Sequence, residues 1–332
     1  MSNVRLLSVS ESSALLDCPW RHALAYTGQL TGGTALVPKT TPLLLRKGKA
    51  WGRGLAALYG GWDRTTQRTD AEQAIRSSLT EDAEQRGRAG IYDPDAEAAT
   101  ERHLLAVLDH YISLAEPLPL HHPECHLILP LPAAQRHSNA YRLEVYLDGL
   151  HDDEWGSWVV EIKWRESNLI DFEVATLDRQ LRWYAWAWRE HLGIEPVGVI
   201  LDERIGEVPS PVRYNQDGRV SKIQSCTVEA YLHAGGQDLM VAERLSSKTW
   251  QARRRITFRP HELDWAGREL RTVARLVHMY DNGQLVPMRN ANQRNCRGCR
   301  YRTICADPFD TELVDALYDR VPPKRLREEV AA

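Results

Sequence analysis

Glu161 and Lys163 bracket Ile162 at the end of an apolar run, VVEIKWRESN, residues 159–168. Side chains alternate along an extended strand, so the carboxylate and the ammonium share one face and Ile162 takes the other. Asp148 stands thirteen positions earlier, closing a second β-like segment, with HDDEWG as the intervening turn. An antiparallel hairpin through that turn sets Asp148 beside Glu161. Two adjacent carboxylates repel unless a divalent cation lies between them. Such a cation binds a phosphate oxygen and activates water, while Lys163 steadies developing charge or orients the nucleophile. The chemistry this grouping suits is hydrolysis of a phosphodiester. An E-x-K triplet also occurs as an ordinary ion pair on an exposed strand, so its surroundings decide.

Downstream, EVATLDRQLRWYAWAWREHLG (173–193) reads as a helix closed by Gly193. Gln180 and Tyr184 lie four apart and share a face. Trp183, Trp186 and Trp188 interleave with Arg179, Arg182 and Arg189 and read chiefly as core. A buried Gln180 amide, in contrast, needs hydrogen-bond partners. A further cluster is NCRGCRYRTICADP, where Cys296, Cys299 and Cys305 are spaced C-x2-C-x5-C. These supply three ligands, and a tetrahedral site needs one more thiolate or imidazole. Iron–sulfur clusters and zinc both accept thiolates, so spacing does not separate them. Cys125 and Cys226 read as buried free thiols.

The elements that must position these residues follow from periodicity. Residues 10–27 read as a helix with Ser10 or Ser12 as N-cap, and TGGTALVPKTTP (31–42) as a loop. Residues 43–60 and 70–115 read as helices, the second broken near RGRAGIYDPD, and EPLPLHHPE ends this helical part. ECHLILPLP, AYRLEVYLDGL and SWVVEIKW read as strands, and PVGVILDERI as a fourth after the helix. Three strands, a helix and a strand make a mixed α/β core of about 80 residues. Beyond it come a turn and short strand in YNQDGRVSK, helices at 227–246 and 261–281, and the polar tail RVPPKRLREEVAA.

Composition bounds the partners. The 332 residues are 43% hydrophobic and 26% charged, enough for a substantial core. Because Trp and Tyr carry polar handles, several of the 11 Trp and 12 Tyr are expected to be partly wet. A net charge of −3 provides no global attraction to nucleic acid, so a polyanion site requires a local basic surface. Two runs qualify: Arg253, Arg254, Arg255 and Arg259 in QARRRITFR, and Arg289, Arg294, Arg297, Arg300 and Arg302 around the cysteines. HHPECH reads as surface histidines rather than a zinc site. Neither a signal-peptide pattern nor a membrane-length apolar run is evident, so a soluble intracellular protein is the expectation. No Walker-type phosphate loop occurs either.

In these elements the chain resembles the PD-(D/E)XK nuclease superfamily, in its RecB-like branch, which includes AddB-type helicase–nucleases, CRISPR-associated exonucleases and many bacteriophage exonucleases. Asp148, then Glu161-Ile162-Lys163, then Gln180-x-x-x-Tyr184 carry the resemblance. It implies an α/β fold with a restriction-endonuclease-like mixed central sheet flanked by helices. By the same resemblance, Asp148, Glu161 and the Ile162 carbonyl bind Mg²⁺ or Mn²⁺, Lys163 is the catalytic lysine, and Gln180 and Tyr184 position DNA. Cys18, in LLDCPWRHALAYTG, matches the remote first cysteine of the branch's iron–sulfur members, so Cys18, Cys296, Cys299 and Cys305 would hold a [4Fe-4S] cluster. Zinc on the same ligands, or with a histidine such as His22 in place of Cys18, stays open. Such a cross-link ties the chain ends together, giving one domain, 1–332. Its parts are a helical region 1–120, a catalytic core 121–205, a helical region 206–320 with the three clustered cysteines, and a tail 321–332.

The sequence departs from the family at Gly52 in KGKAWGRGLAALYGG, where relatives often carry a histidine ligand. Glu124 or Glu144 could substitute for it. The implied function is exonucleolytic hydrolysis of single-stranded DNA or duplex ends in recombination, repair or phage DNA processing. It would take place in the cytoplasm of a bacterial or phage-infected cell, with any helicase or recombination partner separate. Related nucleases can form rings, which leaves a homo-oligomer open. The alternatives are a catalytically degenerate DNA-binding or scaffolding protein and a zinc-stapled nuclease.

Overall fold

The computed structural model describes residues 5–60, 64–88, 90–116, 118–131 and 141–324, with the side chains of residues 64, 65 and 294 left aside. Most of the polar tail, 325–332, therefore lies outside the described residues, as does the side chain of Arg294. The chain opens with β1 (Arg5–Ser8), α1 (Val9–Asp17), α2 (Pro19–His22), a π-helical turn (Ala23–Thr27) and β2 (Ala35–Pro38). Helices α3 (Leu43–Gly60), α4 (Arg64–Arg88) and α5 (Pro94–Leu114) follow. The central part is β3 (Cys125–Pro130), β4 (Tyr141–Leu147), β5 (Gly149–Asp153), β6 (Gly156–Arg165), α6 (Phe172–Thr176), α7 (Arg179–Leu192) and β7 (Gly198–Ile205). Next come α8 (Val228–His233), α9 (Leu239–Ser246), β8 (Gln251–Thr257) and α10 (Pro260–Asp281). The last elements are α11 (Gln293–Arg297), α12 (Thr311–Leu317) and β9 (Tyr318–Val321).

The strands form mixed sheets, β1-β4-β3 and β5-β6-β7-β8, with β2 and β9 as an antiparallel ribbon. Pairing is antiparallel in β5–β6 and β7–β8 and parallel in β6–β7. This is the mixed α/β arrangement expected of the chain. Alternation sorts β6 cleanly. Trp158, Val160, Ile162 and Trp164 enter one apolar cluster with α3, α4 and α5, while Val159 enters another with α7 and α10. Glu161 and Lys163 share Val159's parity and so point toward α7. The three tryptophans of α7 are buried. Gly267 of α10 admits the Trp186 indole, since a Cβ there would lie 2.6 Å from its Nε1. Tertiary fit, more than helix propensity, requires glycine at that position.

Several expectations need correction. The 10–27 helix begins at Val9, because Ser8 caps it by accepting from the Glu11 N–H at 3.2 Å. It breaks at Cys18, which is extended at φ −160°, and Pro19 restarts it at the first helical position. The 31–42 loop contains β2, whose partner β9 lies almost 300 positions later, beyond the reach of local pattern reading. The single strand 140–150 is two strands bent at Asp148, and helix 173–193 is two helices, the second capped by Asp178. The 227–246 helix divides around Gly235 and Gly236. YNQDGRVSK makes a single bridge, Tyr214 to Val220, not a strand.

QARRRITFR is the largest revision. It contains β8, which borders β7, and β7 is buried along its whole length despite Asp202, Glu203 and Arg204. Arg253 pairs with Asp202 at 2.8 Å, Arg254 with Glu203 at 3.1 Å and Arg255 with Asp153 at 2.8 Å. Arg253 and Arg254 neutralise the acids of buried β7 and Arg255 pairs with Asp153 of β5, so these three are not a free phosphate-gripping patch.

A second buried charge cluster joins the chain's ends. Glu11 receives Arg5, the His22 imidazole at 3.2 Å and the Lys324 ammonium at 3.1 Å. Burial alone would raise its pKa, but the His22 hydrogen bond and the charges of Arg5 and Lys324 prevail and hold it at about 2. A folded pKa below the ordinary carboxylate value contributes stability above pH ~4.5 that is lost as pH falls toward 2, on the order of 3 kcal/mol. Denaturant midpoints should therefore fall across that window, and Glu11→Gln should flatten this limb. An unchanged acid limb in Glu11→Gln would remove the linkage.

Candidate active site

Asp148 sits at a bend, the point where the chain leaves the β1-β4-β3 sheet as β4 and enters the other sheet as β5. The β5–β6 register pairs Gly149 with Val160, so one more step brings Asp148 opposite Glu161. The Ile162 N–H donates to Asp148 Oδ2 at 2.6 Å, and the Asp148 carboxyl lies close enough for its charge to act on Glu161. Asp148 and Glu161 therefore meet, as the hairpin argument expects, although through a bend and not along an unbroken strand.

The remaining partners come from α7. Asp178 caps that helix by accepting from the Gln180 N–H at 2.8 Å, which aims the first turn at β6. The Gln180 amide then closes a network. Its oxygen accepts from the Lys163 ammonium at 3.3 Å, and its nitrogen donates to Glu161 at 3.4 Å and to the Tyr184 hydroxyl at 2.6 Å. Lys163 also pairs directly with Glu161. All of Asp148, Glu161, Ile162, Lys163, Gln180 and Tyr184 are thus drawn together. Asp178 is the neighbour that motif reading overlooks, and its place directly before a helix is the signal that points to it.

Electrostatics bear on what the site can hold. Glu161 is 3% exposed, and burial, reinforced by the charge of Asp148 and opposed by Lys163, pushes its pKa up to about 8. Burial likewise raises Asp148, with the charge of Glu124 adding to it. Burial would lower Lys163, but Glu161 and Asp148 outweigh it and keep the ammonium charged. Two adjacent acids, Glu161 buried and Asp148 partly so, resist joint ionisation and form a donor set a divalent cation relieves, because it supplies the missing positive charge. Among the described residues no group of three or more His, Cys, Asp or Glu side chains could hold a metal ion. Two carboxylates nevertheless fit Mg²⁺, which commonly takes one or two and keeps its waters.

The substitutes for the family histidine separate. Glu124 lies near Asp148, its N–H donating to the Asp148 carbonyl at 3.1 Å, and it takes the left-handed backbone (φ 53°) uncommon for a non-glycine residue. Glu144 turns instead to His126 at 3.3 Å and the Tyr146 hydroxyl at 3.0 Å. His121, His122 and His126 are exposed, as expected. A Cβ added at Gly52 meets nothing within 4 Å. Gly52→Ala should therefore raise stability by about 0.5–1 kcal/mol, the ordinary gain for a helix interior, read from the denaturant midpoint. A loss would mean that this space is filled by something the site needs.

Cys18, Cys296, Cys299 and Cys305 are half-buried and line one small cavity of about 50 Å³. Burial raises the Cys305 thiol, with Cys299 and Cys18 close enough to add to the effect. The two chain segments are pinned around it. Asn290 donates to the Asp17 carbonyl at 2.7 Å, Tyr301 to the Leu36 carbonyl at 2.9 Å, and Arg289 lies 4.0 Å over the Trp20 ring. Arg289 is thus occupied here. His22 faces Glu11, away from this cavity, and Cys125 and Cys226 stand elsewhere. The four thiols share a wall, yet no three of them approach as a metal-holding group.

A family model for the PD-(D/E)XK nuclease superfamily matches residues 6–306. The chain belongs to this superfamily. The matched span contains every site residue named above, Cys305 included. No curated protein matches the chain. Membership points to metal-dependent cleavage of nucleic acid, and PD-(D/E)XK nucleases typically use Mg²⁺ or Mn²⁺. Among the described residues of this PD-(D/E)XK protein, no helix is long and apolar enough to cross a membrane.

Proposed function

We propose that the protein is a DNA exonuclease of the RecB-like branch, hydrolysing phosphodiesters of single strands or duplex ends. The observation that carries this reading is Asp148 anchored on the Ile162 N–H and set opposite Glu161, with Lys163 held beside them by Gln180. Asp148, Glu161 and the Ile162 carbonyl are the proposed metal ligands. A divalent ion bound there would neutralise phosphate charge and lower the pKa of water. Lys163 keeps its proton and offers a donor to the scissile phosphate or the attacking water. Gln180 fixes the ammonium through its oxygen, and Tyr184 fixes the Gln180 amide in turn. Helix α7 and strand β6 both supply rigid backbone, so the donors are preorganised.

The four cysteines are proposed to hold a [4Fe-4S] cluster joining residue 18 to the segment after α10, within one domain. Their shared cavity supports this; anaerobic purification with iron, sulfide and zinc analysis tests it, and stoichiometric zinc without iron would reassign the site. These 332 residues hold no Walker-type loop, so any coupled strand unwinding would draw on a motor outside them. Polarity and mode are read from 5′- and 3′-labelled strands incubated with Mg²⁺ or Mn²⁺. Mononucleotides or short oligonucleotides released progressively from one labelled end support the exonuclease reading, and internal fragments appearing first overturn it. Absence of cleavage with either metal favours the degenerate DNA-binding alternative, which the glycine at position 52 would then explain.

A further inference from the structure

A groove of about 1340 Å³ is lined by Asp178 and Gln180, whose amide reaches Glu161, and by Trp265 and Arg268 of α10. A second hollow of about 310 Å³ shares Arg182, Trp265 and Arg268 with it, so these three residues border both. We infer that this groove is a track for single-stranded DNA and that Trp265 is its base-stacking platform, an inference that rests on the nuclease reading above.

Trp183, Trp186 and Trp188 are buried, whereas Trp265 is 58% exposed on a helix whose other face packs in the core. Leu177, also lining the groove, is 70% exposed. Wet indole and leucine side chains along one concave wall mark a surface that a ligand covers. Among the described residues Arg182 and Arg268 make no ion pair, and Arg182 Nε is buried without a hydrogen-bond partner. The other arginines lining the groove, Arg21 and Arg179, are committed to Asp17.

A base inside a duplex is already stacked and paired, so an indole gains nothing from it; an unpaired base offers a free π-face. Acids also face the groove, Asp17, Asp178 and Glu269 among them. With Arg182 and Arg268 the arginines of the groove free of an ion pair, phosphate pairing is weak and stacking supplies a large share of the affinity. Two phosphate contacts on a single strand correspond to a salt slope of roughly −1.4, shallow for a nucleic-acid-binding protein.

The test is fluorescence anisotropy of the full chain in EDTA, where no cleavage occurs, with a labelled single-stranded oligonucleotide and a blunt duplex of the same length. Trp265→Ala should weaken single-strand binding roughly 5- to 150-fold, the range for loss of one stacked base, and Trp265→Phe should restore most of it. Duplex binding should barely change. Arg268→Glu should weaken the single strand too and reduce the salt slope by about 0.7. Unchanged single-strand affinity in Trp265→Ala, equal losses for single strand and duplex, or no single-strand binding by the wild-type protein would each overturn the inference. Lys163→Ala, run alongside, separates the two claims. If it cleaves within about threefold of the wild-type rate, the nuclease mechanism fails while the stacking measurement stands by itself.

Discussion

Lys163→Ala should lower the cleavage rate by roughly 10²–10³-fold or more, the range for removing one preorganised charge-stabilising donor. The side chain has no stand-in, because Gln180 and Tyr184 are neutral and the arginines of β8 are engaged with Asp202, Glu203 and Asp153. The same substitution removes the charge that opposes protonation of Glu161. Two losses thus fall on one variant: the donor itself, and some of the carboxylate character a cation needs. Stability should change less than activity, since a Glu161 deprived of its partner can take up a proton and remain buried as a neutral acid. Single-strand binding in EDTA should persist. Single-turnover cleavage with Mg²⁺ and with Mn²⁺ measures the effect. A rate within threefold of the wild type would remove Lys163 from the proposed mechanism.

Asp202→Ala should destabilise the protein by about 3–5 kcal/mol without touching the proposed chemistry. A single Asp202 oxygen accepts from Tyr59 at 3.1 Å, Tyr111 at 2.6 Å and both Nε and a terminal nitrogen of Arg253 at 3.1 and 2.8 Å. Truncation leaves two phenols and a guanidinium sharing donors without their common acceptor. Arg253 retains the Glu116 carbonyl at 2.8 Å and some exposure, which places the effect nearer the lower bound. Replacing the network by apolar residues, as in Asp202→Leu with Arg253→Met, should recover part of the loss, because the cost lies in stranding charge more than in lacking it. Urea unfolding reads both, and a loss under 1 kcal/mol in Asp202→Ala would show that water reaches this cluster freely.

Much of the site was open to inference from residue order alone. A period-two strand carries Glu161 and Lys163 on one face whatever surrounds it, and a helix carries Gln180 and Tyr184 on one face likewise. Both relations are intrinsic to backbone geometry. The turn between Asp148 and Glu161 was equally readable, since HDDEWG interrupts two apolar runs. The C-x2-C-x5-C spacing was visible as a candidate ligand set, though not what it would hold.

What the sequence could not settle was everything determined by distant neighbours. That Asp148 lies at a bend between sheets depends on β1 and β3 claiming β4 while β6 claims β5. That QARRRITFR is a strand serving buried acids depends on β7 lying beside it, and an arginine run reads the same locally whether its partner is carboxylate or phosphate. Trp265 and Trp183 are likewise indistinguishable by type; only the packing of α10 against α7 buries one and leaves the other wet. Local covalent geometry determined which side chains travel together, and the tertiary arrangement alone decided which of the charges and rings they carry were left free to meet a ligand.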